Sequence, residues 1–372
     1  MILKNLIYIT YQTFPANTAN SLQTISNIKY IKKKGVNVKL IFPLRESEST
    51  DQIDEINKHY GENIHFEAHG TKHNYPFGKF KFQKRFFYIV SHFMWSKNIS
   101  IKMVKNYIPG DCFFTRSDWV FYFLSKRNVP VIFECHQYTK LRKYIMSLGL
   151  KSSESKVIFL NENLKIDYEK KYRLNSNYSI LHNGVDEELF QNTKKNKNQI
   201  IFVGKLTRFG KSRNIDFLIR AFSKLDNSYK FKIIGATKEE VQFYKNIFNK
   251  LNLSDRIEIL EYMNHKKVIK YICESEIGIL INSSDNQHST RYTSPLKYFE
   301  YLYGDVKVVA ANFTSHKNLP FSQNISFFDT DDENSFINSI VNTKSISNLN
   351  QLDKELISLA KRSEKIIGLF GN

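Results

Sequence analysis

Short apolar runs alternate with longer amphipathic stretches from one end of the chain to the other. Residues 6–10 have the length and composition of a strand, and Leu22, Ile25, Ile28 and Ile31 follow at helical spacing. Asn20 is placed to cap that helix, with Gln23 as its capping-box partner, and Gly35 ends it. Strands are expected next at 36–43, 63–68, 112–115, 130–135, 157–160 and 178–181, with helical patterns between them, among them 118–126. Residues 191–199 (QNTKKNKNQ) are polar, basic and without period, the composition of a linker. The alternation then restarts, with strands at 200–203, 230–234, 257–260, 277–281 and 306–310 and helices at 215–225, 239–251, 265–273 and 295–302. Such alternation predicts an α/β chain of two Rossmann-like, doubly wound parallel-sheet domains facing a central cleft. The expected boundaries are 1–190 for the first domain, 191–199 for the linker and 200–372 for the second. The last helix, near 356–367, is free to return to the first domain.

Composition agrees with two folded domains. The 372 residues are 41% hydrophobic and 14% aromatic, enough for a core in each and too apolar for a disordered chain. No run of 18 apolar residues occurs. The apolar start carries Lys4 and has no A-x-A cleavage pattern, so it reads as a first strand rather than a signal peptide. Cys112, Cys135 and Cys273 are scattered without a C-x-x-C pair, which suits buried thiols in a reducing cytoplasm better than a disulfide framework or a zinc site. Net charge is +19, and residues 1–150 hold 22 lysines and arginines against 10 acids. A surface this basic implies an anionic partner: a phosphate-bearing substrate, nucleic acid or an acidic membrane face.

Four stretches carry candidate chemistry. In Ser294-Pro295-Leu296-Lys297-Tyr298-Phe299-Glu300, Ser as cap and Pro at the first helical position mark a sharp helix start. Its open N–H groups suit a nucleotide phosphate, and Glu300, six residues on, suits a ribose diol; an ordinary capped helix with a surface Glu fits the same spacing. The run Ile201-Phe202-Val203-Gly204-Lys205, followed by Lys211 and Arg213, ends a strand in glycine and adds cations that can grip a diphosphate. A solvated basic loop is the plainer reading. Leu181-His182-Asn183-Gly184 reads as a hinge turn. His136, after the strand at 130–135, projects from a carboxyl end, as Arg116 does one strand earlier, although a lone His is more often structural. G-x-G-x-x-G, the P-loop pattern, G-x-S-x-G and any Cys/His cluster are absent, which argues against nicotinamide, P-loop, serine-hydrolase and metal chemistry.

Taken in order, "FECHQ", "KVIFLNENLK", "SILHNGVDEELF", "FVGKL…NIDFLIRAF" and "TSPLKYFEYLYGDVKVVA" resemble the group 1 (family 4) retaining glycosyltransferases of the GT-B fold, over about residues 5–315. The resemblance implies that the second domain binds a nucleotide-activated sugar, of UDP or GDP type, and that the first holds the acceptor. It implies that Lys205 with Lys211 or Arg213 neutralises the leaving diphosphate, that Glu300 binds the ribose, that Gly204, Ser294, Pro295 and Leu296 line the nucleotide site, and that His136 approaches the donor sugar. Two departures stand out. The first Glu of the family's E-x7-E motif is Tyr292 here, with Asp285, Asn286, His288 and Arg291 just before it as substitutes. The loop after the first strand lacks the family's Gly pair, which leaves Asn17, Thr18 and Asn20, with Arg116, as acceptor candidates.

Cleaving a sugar–phosphate bond builds negative charge on the diphosphate, and pre-placed cations with a helix N-terminus stabilise it. A retaining mechanism in which the leaving phosphate helps deprotonate the acceptor needs no bound metal and no cofactor beyond the nucleotide-sugar. The stretch 73–95 interleaves Lys79, Lys81, Lys84 and Arg85 with aromatics, the composition of a peripheral contact with an anionic membrane on its cytoplasmic face, where a saccharide or lipid-linked acceptor would be met. The same aromatics can instead fill a core. The implied setting is bacterial cell-surface polysaccharide synthesis, lipopolysaccharide or capsule. The competing readings are a GT-B-fold sugar-nucleotide epimerase, a catalytically inactive partner subunit and, without any module signature, a nucleic-acid-binding protein.

Overall fold

The computed structural model describes residues 3–76, 84–208 and 211–371, with the side chains of Arg208 and Lys211 outside that set. The chain divides into two compact units, 1–181 with 359–372, and 182–358.

Unit 1 begins with β1 (Asn5–Ile9), α1 (Ala19–Lys33), β2 (Asn37–Leu44), α2 (Ile53–Tyr60), β3 (Glu67–Lys72) and α3 (Lys84–Lys105). It continues through β4 (Asp111–Thr115), α4 (Asp118–Ser125), β5 (Val131–Cys135), α5 (Lys140–Gly149), β6 (Ser155–Phe159), α6 (Glu162–Glu169) and β7 (Tyr178–Ile180). The seven strands are all parallel, in the order β3-β2-β1-β4-β5-β6-β7. The order reverses at β1/β4, so the carboxyl ends there, Thr10–Tyr11 and Arg116–Ser117, flank a crevice of the kind where ligands of open α/β sheets bind. Leu6, Tyr8, Leu40, Phe42, Phe114, Ile132 and Ile158 bury one face of the sheet.

Three local expectations are corrected. Thr18, not Asn20, caps α1, its side chain accepting from the Ser21 N–H. The third strand is 67–72 rather than 63–68, because Asn57 holds Ile64 in a loop through both its amide and its carbonyl. The passage between units falls at 181/182, not in 191–199. That basic segment is tied into unit 2 by Lys195, whose ammonium donates to the carbonyls of Cys273, Ser275 and Gly304 at 2.8–3.0 Å.

Unit 2 comprises β8 (Gln199–Val203), the two-stranded hairpin β9 (Thr207–Arg208) and β10 (Lys211–Ser212), α7 (Ile215–Ser223), β11 (Lys230–Ala236), α8 (Lys238–Lys250) and β12 (Ile257–Glu261). Then come α9 (His265–Cys273), β13 (Ile277–Leu280), α10 (Leu296–Tyr303), β14 (Lys307–Ala311), α11 (Thr314–Lys317), β15 (Ile325–Phe328), α12 (Glu333–Asn342) and α13 (Gln351–Leu356). Its six-stranded sheet is also parallel, in the order β12-β11-β8-β13-β14-β15, with apolar cores on both faces. Gly184 lies where its Cβ would come within 3.1 Å of the Ser358 backbone, so the chain enters and leaves unit 2 side by side, with the Val185 N–H bonded to the Ile357 carbonyl.

After Ser358 the chain returns to unit 1 as α14 (Leu359–Gly371), which packs on α1. Ile366 and Phe370 enter the unit 1 core, and the Lys156 ammonium bonds the Leu369 carbonyl at 2.6 Å.

Each unit also buries a histidine. His92 shares a 2.6 Å hydrogen bond with Ser117 and stacks on Tyr11, and His316 donates from Nδ1 to the Ala311 carbonyl. Burial pushes both down to about 4. They are neutral in the fold but protonate at about 6.5 once unfolded, so the unfolded chain binds more protons between these values. Stability is therefore full above pH ~6.5 and falls towards pH ~4, by on the order of 1–2 kcal/mol per histidine at pH ~5. Denaturant midpoints across this range check the expectation, and replacing His316 should flatten the slope for unit 2.

Candidate active site

In unit 2 the strand order reverses between β8 and β13. The two strands pair only at Ile277↔Ile200 and Gly278↔Ile201 and then diverge, which opens the sheet at its carboxyl edge. Val203 and Gly204 stand at that opening. Gly204 takes φ +134°, a conformation that favours glycine, and its N–H bonds the Ile234 carbonyl at 2.8 Å. A Cβ there would lie 2.7 Å from Nη1 of Arg213, so the guanidinium rests against bare backbone. The β9–β10 hairpin brings Arg213 back to the strand end, its own N–H bonded to the Leu206 carbonyl. Lys205 is exposed beside Gly204, and the side chain of Lys211 lies outside the described residues.

Sequence reasoning missed Lys297, which joins this group from the first turn of α10. Its ammonium donates to the Val203 carbonyl at 3.1 Å and lies 4.1 Å from the centroid of the Phe202 ring. It thus takes a strand-end carbonyl where β8 and β13 have parted. The usable signal was its place three residues before Glu300, on the same helical face.

The start of α10 also differs from expectation. Pro295, not Ser294, is the cap position, and no side chain caps the helix. Ser294 is instead engaged by Asn183, whose side-chain amide donates to the Ser294 carbonyl. The "HNG" turn therefore braces the helix start as well as turning the chain. Leu296 opens the helix half-buried. Behind it, Tyr301 lies flat on β13, where a Cβ on Gly278 would come within 2.5 Å of its ring. Glu300 is buried, and its Oε1 shares a 2.7 Å hydrogen bond with Nε2 of His265, the first residue of α9.

Tyr292, at the place of the family's first Glu, is buried in a π-helical turn, His288–Tyr292. Arg291 is half-buried there, and the Asn286 side chain accepts from the His288 N–H. Among the described residues no group of three or more His, Cys, Asp or Glu could hold a metal ion.

Unit 1 gathers a second set of polar residues at the carboxyl edge of its sheet. Glu134, fully buried near the end of β5, accepts from Nη2 of Arg116 at 2.9 Å, from Nη2 of Arg362 at 2.9 Å and from Nε2 of His136. Arg116 also donates to the Asn20 carbonyl and side chain. Thr18 is used as the α1 cap, and Asn17 is exposed. Burial alone would raise the Glu134 carboxyl, but Arg116, Arg362 and His136 outweigh it and hold it well below the usual range. Burial, reinforced by Arg116, pushes His136 down to about 4.

Gly204→Ala tests how tightly the turn holds Arg213. The substitution strains the backbone by roughly 1–3 kcal/mol and sets a methyl against the guanidinium. A lower denaturant midpoint is expected.

Two parallel-sheet α/β units of seven and six strands form the GT-B architecture. The chain superposes on sucrose-phosphate synthase from Thermosynechococcus elongatus with a TM-score of 0.67 at 14% identity, covering 99% of this chain and 95% of that one. The Anabaena protein HepE in complex with UDP and glucose gives 0.65 at 11%, covering 99% of both chains. The lipopolysaccharide outer core galactosyltransferase WaaB gives 0.62 at 10%, covering 99% of this chain and 100% of that one. No curated protein matches by sequence. Residues 185–312 match the sequence model of the glycosyl transferases group 1 family. The fold is thus that of the GT-B glycosyltransferases, the match to the group 1 family model is confined to residues 185–312, and that span contains Gly204, Arg213, Lys297 and Glu300.

Proposed function

We propose that the protein is a retaining glycosyltransferase that takes a sugar from a nucleoside-diphosphate sugar, held by unit 2, and passes it to a saccharide or lipid-linked acceptor held by unit 1. The observation that carries this reading is the group at the β8/β13 opening: the Gly204 backbone, Arg213 against it, Lys297 on Val203 and the uncapped start of α10, with Glu300 on the same helix. A diphosphate placed there meets fixed cations and helix N–H groups before the bond breaks, so no solvent has to reorganise as charge develops on the leaving group. Lys205, exposed beside Gly204, adds charge from the rim. The Glu300 carboxylate, with His265 on Oε1, keeps Oε2 to accept from the ribose hydroxyls. HepE in complex with UDP-glucose supports a UDP donor, and WaaB supports a role in surface polysaccharide such as lipopolysaccharide.

With these cations as the charge stabilisers, transfer is expected to proceed without a bound metal or further cofactor. His136 contacts the donor sugar in this reading. The experiment is slow hydrolysis of a UDP-hexose without acceptor, followed by proton NMR in the presence of a chelator. Release of the sugar first as the donor's own anomer supports the proposal; the opposite anomer overturns retention. No release from any nucleotide-sugar overturns the transferase reading in favour of an inactive partner subunit.

Unit 1 supports an acceptor presented at an anionic membrane. One face of α3 buries Ser91, His92, Trp95, Ile99 and Met103, while Phe86, Tyr88, Ile89, Phe93 and Met94 are exposed beside Lys84 and Arg85. Leu141 and Tyr144 of α5 are exposed as well. Lys79 and Lys81 lie outside the described residues. No helix among the described residues is long and apolar enough to cross a membrane. Retention on vesicles rich in phosphatidylglycerol at low salt, lost at high salt, is the expected result; no retention at low salt rejects the docking.

A further inference from the structure

The polar cluster of unit 1 joins residues from three places in the sequence. Glu134 and His136 come from the end of β5, Arg116 from the end of β4 and Arg362 from α14, 228 residues beyond Glu134. Arg362 is nearly fully buried, and its second nitrogen, Nη1, donates to Oδ1 of Asn27 on α1 at 3.1 Å. The guanidinium is therefore held by two elements and presents one nitrogen to Glu134 Oε2. Arg116 is fixed similarly by Asn20 and presents Nη2 to Oε1. Tyr8 lies near the same charges but directs its hydroxyl to Thr24.

Two arginines on one carboxylate leave it ionised, and an ionised carboxylate only accepts hydrogen bonds. His136 Nε2, which meets Oε1, must then carry a proton. With Glu134 already balanced by two guanidinium groups, a second proton on the ring would add a third cation to the cluster, so the imidazole stays neutral. Its Nδ1 is left as a lone-pair acceptor, and among the described residues no group bonds to it. About a quarter of the side chain remains exposed.

We infer that Glu134 and Arg362 are positioning residues that hold His136 as the neutral Nε2–H tautomer, so that Nδ1 accepts a hydrogen bond from a hydroxyl of the sugar substrate. The ring is an acceptor of fixed orientation, neither an acid nor a cation. The returning tail helix is then part of the active machinery, because it supplies the arginine that balances Glu134. The role of His136 in transfer rests on the function proposed above, whereas the tautomer follows from the cluster alone.

Nitrogen-15 NMR of histidine-labelled protein, with His136 assigned by its loss in His136→Gln, tests the tautomer directly. The expected spectrum has a pyrrole-type Nε2 and a pyridine-type Nδ1, unchanged from pH ~8 to ~5.5. In Glu134→Gln the ring should lose this preference and populate both tautomers. In Arg362→Lys, which keeps the charge but not the fork, the preference should persist while the transfer rate falls less than in Glu134→Gln. Kinetics adds a readout that a merely structural role would not move. Glu134→Gln should lower kcat on the order of 10–100-fold with little change in donor KM, and should add nothing in a His136→Ala background. A proton on Nδ1, a doubly protonated ring at neutral pH, or a Glu134→Gln effect that persists without His136 would overturn the inference. Transfer by His136→Ala at the wild-type rate would overturn it as well, whereas failure of the underlying functional reading looks different: the wild type would turn over no nucleotide-sugar while the NMR signature stayed in place.

Discussion

Replacing Arg213 with methionine is expected to lower sugar transfer by roughly 10²–10³-fold while leaving the denaturant midpoint almost unchanged. The guanidinium is half-buried, lies against the bare backbone of Gly204, and faces the place where β8 and β13 separate. A cation held there gains most when the leaving diphosphate acquires charge, so the loss should fall mainly on kcat and less on donor KM. Methionine keeps much of the apolar stem, which limits any effect on packing. Steady-state rates with a saturating nucleotide-sugar make the test, and a loss smaller than about threefold would show that Arg213 is an ordinary surface cation. Lysine at the same position should recover part of the rate, since it restores charge without the fork.

The second large effect is on stability. Glu134→Ala leaves Arg116 and Arg362 buried without their carboxylate, with side-chain exposures of only 6% and 3%. Removing one member of a buried ion pair costs about 3–5 kcal/mol, because the remaining charges stay desolvated and unmatched. For a unit of this size that corresponds to a fall in Tm of roughly 10 °C. Glu364→Ala is the control on the same helix: it breaks an ion pair with Lys34 whose side chains are 36% and 43% exposed, and should change Tm by little. Calorimetry on both variants settles the comparison, and equal shifts would contradict the description of the buried cluster.

Much of this arrangement is legible in the amino-acid sequence. The alternation of apolar and amphipathic stretches predicts both parallel sheets, because buried parallel strands are continuous runs such as Ile200–Phe202 and Val308–Ala310 that no other element explains. Local capping was less legible. Thr18, Asn20 and Ser21 are all plausible cap types, and only the backbone path shows that Thr18 reaches the Ser21 N–H. Ser294 likewise has the right chemistry for a cap, but the Asn183 side chain claims its carbonyl and Pro295 takes the boundary position. In the site, Gly204, Arg213 and Glu300 were accessible because each sits in a short motif. Lys297 was not, since a lysine in a helix usually faces solvent and only the parting of two strands gives it a carbonyl to bind. Arg362 was invisible for a simpler reason: nothing local in the tail helix indicates that it returns to β5.

If unit 2 binds a nucleoside diphosphate through Arg213 and Glu300, calorimetric titration of the intact protein with UDP and GDP will show it. Saturable binding of one nucleotide to the wild type, weakened at least about tenfold in Glu300→Ala and in Arg213→Met while both variants keep their thermal midpoints without ligand, is the predicted result. A bound nucleotide at 100 times its dissociation constant would also add about 2.7 kcal/mol of stability, so the unfolding midpoint of the wild type should rise in parallel. Binding of neither nucleotide, or binding that both substitutions leave untouched, would contradict the assignment of the donor site.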